Sequence, residues 1–119
     1  MSKKQLSCEE QLKKYINDLQ DSLKRWNFIN ENGCSDPFWC DGVNMNLVRN
    51  HCLYYKDSIM RLCTENGLSL PDEFYLPVPP KVEGNFMANK NDPRIKNLTD
   101  FNKGFTFKKV KYDPEQLSL

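Results

Sequence analysis

The sequence is poor in glycine, has a single histidine and contains no long apolar run, and each absence excludes a class of protein. The five glycines form no phosphate-binding loop, and the chain has no metalloprotease helix or paired-carboxylate motif. No segment reaches the 18 or so apolar residues of a membrane span, and the charged start Met1–Gln5 resembles no signal peptide. We therefore expect a cytoplasmic protein.

The chain has 119 residues and no internal repeat, which predicts one small domain over residues 1–119. Its net charge is only +1, so it is neither a global mimic of a polyanion nor a uniformly basic nucleic-acid binder. Residues 1–80 carry 9 basic and 11 acidic side chains, a net of −2, whereas residues 81–119 carry 8 and 5, a net of +3. An anionic partner would therefore favour the last third.

The first helix is predicted over residues 7–32. Ser7 and Glu10 have the spacing of a capping box, in which each side chain satisfies an amide at the helix start. Asn32-Gly33 is typical of a helix end. The apolar residues recur at steps of three and four, which describes one narrow stripe: Cys8, Leu12, Ile16, Leu19, Leu23 and Trp26.

A second helix is predicted over residues 44–65, with Asp41 or Asn44 as its cap and Asn66-Gly67 at its end. Its apolar stripe matches the first, and about eleven residues join the two, which predicts an antiparallel helical hairpin. Further apolar residues lie outside that stripe: Leu47, Leu53, Tyr54 and Met60. The second helix is therefore either central and covered by the last third, or it presents an apolar strip to another molecule.

The rest of the chain is predicted to cover the hairpin. Residues 68–80 contain prolines 71, 77, 79 and 80, which favour an extended strap whose apolar residues pack on the second helix. Residues 81–119 form a basic, partly extended segment, in which residues 105–112 alternate well enough for one short strand. Such a strand has to pair with residues 81–90, with a second copy or with a partner. The fold class is mainly α.

The joint at residues 34–44 concentrates the distinctive chemistry. Cys34, Cys40 and His51, with a fourth ligand such as Asp41, offer the donor types of a zinc site. However, five residues separate Cys34 from Cys40, whereas structural zinc sites pair ligands two to four residues apart. Five cysteines, an odd number, favour reduced thiols in a cytoplasmic protein. The main interpretation is therefore no cofactor, with zinc as the alternative.

Catalysis is not predicted. His51 is the only candidate base, and a nucleophilic pair with Cys34 or Cys40 requires a pocket and an oxyanion site that a helical hairpin rarely provides. We expect His51 to stabilise the joint by a hydrogen bond to Asp36, Asp41 or a loop carbonyl. The sequence is interpreted as that of a protein that is not an enzyme.

The carboxyl-terminal segment carries the signal for an alternative function. Its lysines alternate with aromatic residues, a pattern that neutralises phosphates and stacks on unpaired bases. Together with the zinc ligands, it would make the chain a zinc-stabilised nucleic-acid-binding module. The competing interpretation is a solvent-facing lysine edge with the aromatics tucked against the hairpin. The residues predicted to bind nucleic acid in the alternative function are Lys103, Lys108, Lys109, Lys111 and Tyr112.

The segment 36–51, Asp-Pro-Phe-Trp-Cys-Asp-Gly-Val-Asn-Met-Asn-Leu-Val-Arg-Asn-His, resembles part of small uncharacterised proteins of phages and integrative elements of low-GC bacteria. The resemblance implies a genomic setting in which short proteins bind host or element machinery, including defence systems. It transfers no site residue.

The leading hypothesis is therefore a non-enzymatic binding protein that acts as an inhibitor or regulator, with a protein as its partner. At the joint, Phe38 and Trp39 are expected to plug the end of the two-helix core, and they are also predicted to contact the partner. The residues predicted to form the interface are Phe38, Trp39, Leu53, Met60, Phe105 and Phe107.

Overall fold

The computed structural model describes residues 7–98 and 104–113. Helix α1 spans Cys8–Asn32 and helix α2 spans Asp41–Asn66. Two short 3₁₀ helices follow, at Asp72–Tyr75 and Pro93–Asn97. Within the described residues there is no β-sheet, and the one β contact is an isolated parallel bridge between Phe86 and Thr106. The mainly α prediction is confirmed.

Helix α1 has the predicted ends. The Ser7 hydroxyl accepts a hydrogen bond from the Glu10 amide at 3.1 Å, and the Ser7 amide donates to the Glu10 carboxylate at 3.5 Å. This capping box satisfies two amides that the first turn would otherwise leave unpaired. At the other end Gly33 has φ +81°, a conformation that favours glycine, and its amide donates to the Ile29 carbonyl.

Helix α2 begins three residues earlier than predicted, because Cys40 occupies the N-cap position and Asp41 is already helical. Neither Asp41 nor Asn44 is the N-cap residue, and the Cys40 side chain makes no capping hydrogen bond. The end is close to the prediction. Gly67 closes the helix in the left-handed conformation at φ +65° and donates its amide to the Cys63 carbonyl.

The two helices form the predicted antiparallel hairpin. Near its open end, Cys8 of α1 donates a hydrogen bond to Asn66 of α2 at 3.0 Å. Two buried clusters follow along the hairpin towards the joint, as antiparallel packing requires. The first contains Leu19, Leu23, Cys52, Ile59, Cys63 and Leu76. The second contains Trp26, Ile29, Met45, Val82, Phe86 and Ala88.

The chain after α2 covers part of the hairpin. Leu76 belongs to the first cluster and Phe74 packs against it, but a 3₁₀ turn at Asp72–Tyr75 interrupts the predicted extended strap, and Tyr75 stays exposed. The Tyr112 hydroxyl donates to the Pro77 carbonyl at 2.6 Å, and its ring meets Trp26 edge-on. The last segment is therefore laid over both the strap and α1.

The predicted strand over residues 105–112 is not confirmed. Its β contact within the described chain is the single bridge to Phe86, where the Met87 amide donates to the Thr106 carbonyl at 2.8 Å. Between residues 110 and 112 the chain lies against α1, where the Asn30 side chain donates to the Val110 carbonyl at 2.7 Å and the Tyr112 ring meets Trp26. The bridge joins this segment to the 81–90 region, but no strand pairing forms among the described residues.

None of the helices among the described residues is both long enough and apolar enough to cross a membrane.

Candidate functional site: a braced aromatic loop

The carboxylate of Asp41, within the joint at residues 34–44, is completely buried. Its Oδ1 atom accepts hydrogen bonds from the Cys34 amide at 3.0 Å and the Cys34 thiol at 3.2 Å. Its Oδ2 atom accepts from the Ala88 amide at 2.9 Å. The Asp41 side chain, at the start of α2, thus links Cys34 to Ala88.

Arg94 supplies the cation for this buried carboxylate. Its Nη2 atom lies 2.6 Å from Asp41 Oδ1 and 2.8 Å from Asp92 Oδ2, while Nη1 donates to the Asp36 carbonyl at 2.7 Å. The side chain is only 14% exposed. The hydrogen bond from Arg94 lowers the pKa of Asp92, and the hydrogen bonds and charges of Asp92 and Asp41 raise the pKa of Arg94. A planar guanidinium satisfies several such acceptors at once.

Local hydrogen bonds shape the loop itself. The Asp36 carboxylate accepts from the Phe38 amide at 2.9 Å and from the Asn44 side chain at 3.1 Å. Mainly because of the first of these bonds, the pKa of Asp36 is lowered. The hydrogen bond from the Phe38 amide to the Asp36 side chain, two residues back, closes an Asx turn. Pro37 is the middle residue of this turn and makes it rigid. The loop is therefore held at Cys34, Asp36 and Phe38.

Close backbone packing at Gly42 completes the joint. The Gly42 amide donates to the Phe86 carbonyl at 2.9 Å. A Cβ atom at position 42 would lie 2.0 Å from the Glu83 carbonyl oxygen, so only glycine permits this approach. Residues 83–88 consequently lie directly against the first turn of α2.

The loop presents its two aromatic side chains to solvent, because Phe38 is 74% exposed and Trp39 50% exposed. The expectation that they plug the end of the core is wrong. That position is taken by Cys40, which is fully buried with Met87 and Leu98. The Asx turn at Asp36 directs the chain so that the small thiol packs inward and the large rings remain outside.

The other residues predicted to form the interface do not join this loop. Leu53 and Met60 are exposed on α2, but at about 1.5 Å per residue they lie roughly 18 and 29 Å along the helix from Asp41. Phe105 and Phe107 are half-buried and pack on the Cys40 cluster. The predicted interface is therefore split between the loop, the middle of α2 and a core cluster.

The possible zinc ligands occupy different environments. Cys34 contacts Asp41 and Arg94, Cys40 is buried among apolar residues, and His51 is exposed about 15 Å along α2 from Asp41. Within residues 7–98 and 104–113, no group of three or more His, Cys, Asp and Glu side chains is arranged to hold a metal ion. We expected His51 to stabilise the joint. In the structure Arg94 stabilises it instead.

Three of the cysteines, Cys34, Cys40 and Cys52, are poor nucleophiles in this setting. Burial, with a smaller contribution from the Asp41 charge, raises the pKa of Cys40 to about 11. Burial raises the pKa of Cys52 to about 11 as well, and that of Cys34 above its ordinary value. Because their pKa values are raised, these thiols are mostly protonated at neutral pH. They therefore react slowly, since the thiolate is the reactive form.

The basic carboxyl-terminal segment is partly occupied with internal contacts. Lys109 donates to the Glu31 carbonyl at 3.0 Å and lies 3.3 Å from its carboxylate. The Tyr112 ring packs on Trp26, and its burial raises the pKa of its hydroxyl. Lys108 and Lys111 are exposed, and Lys103 lies outside the described residues. Tyr112 is therefore not positioned to stack on a base.

Sequence reasoning missed the central residue of the site, Arg94. Asp92-Pro93 gave a local signal, because an acidic residue before a proline is typical of a helix start, and Asp92 does accept a hydrogen bond from the Arg94 amide. Nothing in the sequence pairs residue 94 with residue 41.

A protein-family scan, a search of curated proteins and a search of solved structures each find no match to this chain. The buried charges of the site are paired with one another, and two aromatic rings are exposed beside them.

Proposed function

We propose that this chain is a non-enzymatic protein-binding module whose anchor is the aromatic loop, residues 35–39. The observation that carries the proposal is the contrast between the exposed Phe38 and Trp39 rings and the buried Asp41–Arg94 pair that fixes the loop beneath them. Aromatic side chains dominate the binding energy of protein interfaces, with tryptophan prominent among them. Large exposed rings on an ordered loop are accordingly suited to a partner's pocket.

The hydrogen bonds that fix the aromatic loop support its affinity for a partner. Ordering a loop on binding consumes part of the interaction free energy, and a loop that is already ordered avoids that cost. Here Arg94 contacts the Asp36 carbonyl, Asp36 holds the Phe38 amide, and Asp41 holds the Cys34 amide. The loop therefore meets its partner in a conformation fixed by the fold.

The resemblance of residues 36–51 to proteins of phages and integrative elements supports a biological setting for this activity. The segment includes residues 36–39 of the aromatic loop and the start of α2. In that setting, we propose that the module binds a host or element protein and acts as its inhibitor or regulator, for example in a defence system.

The test compares two double variants as bait in a bacterial lysate. F38S/W39S removes the rings of the loop, whereas L53S/M60S removes exposed apolar side chains elsewhere and serves as the matched control. We expect a protein captured by the unsubstituted chain to be lost with F38S/W39S and retained with L53S/M60S. Capture that is equal with both variants, or no captured protein at all, would overturn the proposal.

A further inference from the structure

Residues 104–113 follow an extended path, and main-chain hydrogen bonds at two positions attach it to the fold. The amide and the carbonyl of Thr106 both bond to residues 85–87, at 3.2 and 2.8 Å. Four residues later, the Val110 carbonyl accepts from the Asn30 side chain at 2.7 Å. From Thr106 to the end of this segment the backbone contains no helix, turn or bend. The segment is therefore attached along one side.

The other side of the segment is an unpaired backbone edge. In an extended chain the amide and carbonyl of one residue point to the same side, and those of the next residue point to the opposite side. Since Thr106 and Val110 face the fold, the main-chain groups of Phe107, Lys109 and Lys111 point away from it. Among the described residues, none of these three amides and three carbonyls makes a hydrogen bond. The groups repeat about every 6.7 Å, which is the spacing that a second strand pairs with.

The side chains along this edge are mainly cationic. Residues 107–112 contain no carboxylate and three lysines, Lys108, Lys109 and Lys111. Lys109 lies 3.3 Å from the Glu31 carboxylate, whereas Lys108 and Lys111 are exposed and have no acidic partner within the described chain. Counting the three lysines against the nearby carboxylates Glu31 and Asp113 leaves a net charge of +1. The charge that the edge offers to a ligand is therefore positive.

We propose that this edge binds an extended acidic strand of a partner protein, which pairs with it by main-chain hydrogen bonds. The unpaired groups of residues 107, 109 and 111 supply affinity, and the free ammonium groups of Lys108 and Lys111 select carboxylates. A second copy is excluded as the occupant, because pairing this edge with itself would place lysine opposite lysine. The edge shares no residue with the aromatic loop, so this binding activity is additional to that of the loop.

Fluorescence polarisation with designed seven-residue peptides tests the charge preference on the full chain. The probes are fluorescein-labelled Glu-Val-Glu-Val-Glu-Val-Glu and the matching peptide with lysine in place of every glutamate. Valine favours extended structure, so both peptides are suited to pair with the edge. We expect the glutamate peptide to bind about tenfold more tightly, because the lysine peptide replaces exposed charge pairs with like-charge contacts.

N-methylation of the peptide separates main-chain pairing from charge attraction. One version of the glutamate peptide is methylated at its glutamate amides and another at its valine amides. A paired strand directs the amides of only every second residue towards the edge, so we expect one version to lose binding and the other to retain it. Equal affinity of the two versions, or loss of binding by both, would overturn the proposal.

Three variants locate the site. Lys111→Glu should reduce the preference for the glutamate peptide to about threefold or less, because a free cation becomes a carboxylate. Lys13→Glu, at an exposed lysine near the start of α1, is the matched control and should leave the preference unchanged. F38S/W39S should bind both peptides as the unsubstituted chain does, and loss of binding in this variant would assign the peptides to the aromatic loop and overturn the proposal.

A single-stranded oligothymidine with the same label distinguishes the other class of ligand. Binding of the oligonucleotide without binding of either peptide would overturn the proposal in favour of nucleic acid. Absence of all binding would overturn it as well. The lysate experiment with F38S/W39S and L53S/M60S decides the proposed function separately, since neither variant alters residues 107–112.

Discussion

Asp41 Oδ1 and Arg94 Nη2 lie 2.6 Å apart although the two residues are 53 positions apart in the chain. Asp41 is the first residue of α2, and Arg94 belongs to the second 3₁₀ helix. This pair joins the end of the hairpin to the segment laid over it and fixes the backbone of the aromatic loop. Stability and the proposed binding activity therefore depend on the same contact.

Replacing Arg94 with methionine should destabilise the fold by about 3 kcal/mol, because Asp41 would remain buried without its cation. Urea unfolding measures the change. Arg61→Ala is the control, since Arg61 belongs to an exposed ion pair with Asp57 whose loss costs about 0.5 kcal/mol or less. Equal effects of the two variants would contradict the role given to Arg94.

Gly42→Ala should destabilise the protein by about 2 kcal/mol even though alanine is the better helix former, because the new methyl group would collide with the Glu83 carbonyl. Gly84→Ala is the matched control, as its Cβ would meet only Val43 at an ordinary 3.8 Å. Thermal unfolding of both variants gives the comparison. A stabilised G42A variant would show that residues 83–86 do not pack on α2 as described.

The two tryptophans should report opposite environments. Trp26 is fully buried and Trp39 is half exposed. The W39F variant, which keeps Trp26, should emit at shorter wavelength and resist quenching by acrylamide, whereas W26F should emit at longer wavelength and be quenched readily. Equally weak quenching in both variants would place the Trp39 ring in the core, and equally strong quenching would show that Trp26 is accessible to solvent.

The thiols should react slowly and stabilise the fold only below strongly alkaline pH. The folded-state pKa values of Cys40 and Cys52 are about 11, above the ordinary value of 9.0. Their contribution to the free energy of unfolding is therefore complete below about pH 9 and is lost as the pH rises towards 11. Maleimide labelling of these two residues at pH 7 should require denaturant. Fast labelling of Cys40 in the native protein would contradict its burial.

Acid should weaken the joint. The folded-state pKa of Asp92 is lowered by its hydrogen bonds to Arg94, so its stabilising contribution is present above about pH 4 and is lost as the pH falls below that value. Asp92→Asn should reduce stability at pH 7 and flatten the decline between pH 4 and pH 2. Urea unfolding at several pH values measures both effects. An unchanged slope in D92N would exclude Asp92 from the acid transition.

The hairpin was predictable because its signals are local. The Ser7 and Glu10 capping box and Gly67 at the end of α2 act within a few residues of the helix ends they define. The site was not predictable for the opposite reason. The sequence suggests that Asp41 is a helix cap or a zinc ligand. In the structure its partner is Arg94, and no local sequence pattern encodes that contact.

The exposure of Phe38 and Trp39 also escaped prediction. Hydrophobic side chains are usually buried, so two adjacent rings at a joint favoured a plug. Which of three consecutive apolar residues turns inward depends on the Asx turn at Asp36 and on the space beside Met87, and the structure gives that position to Cys40. Tertiary packing decides this choice.

Photo-crosslinking tests the central claim most directly. p-Benzoylphenylalanine is introduced in place of Phe38 in one variant and in place of Leu53 in another, and each variant is irradiated in a bacterial lysate. Both positions are exposed, Phe38 at 74% and Leu53 at 41%, so both probes reach solvent. The account predicts a discrete crosslinked partner from position 38 that is absent when Arg94 is replaced by methionine, and no such product from position 53. A crosslink from position 53 alone would contradict it.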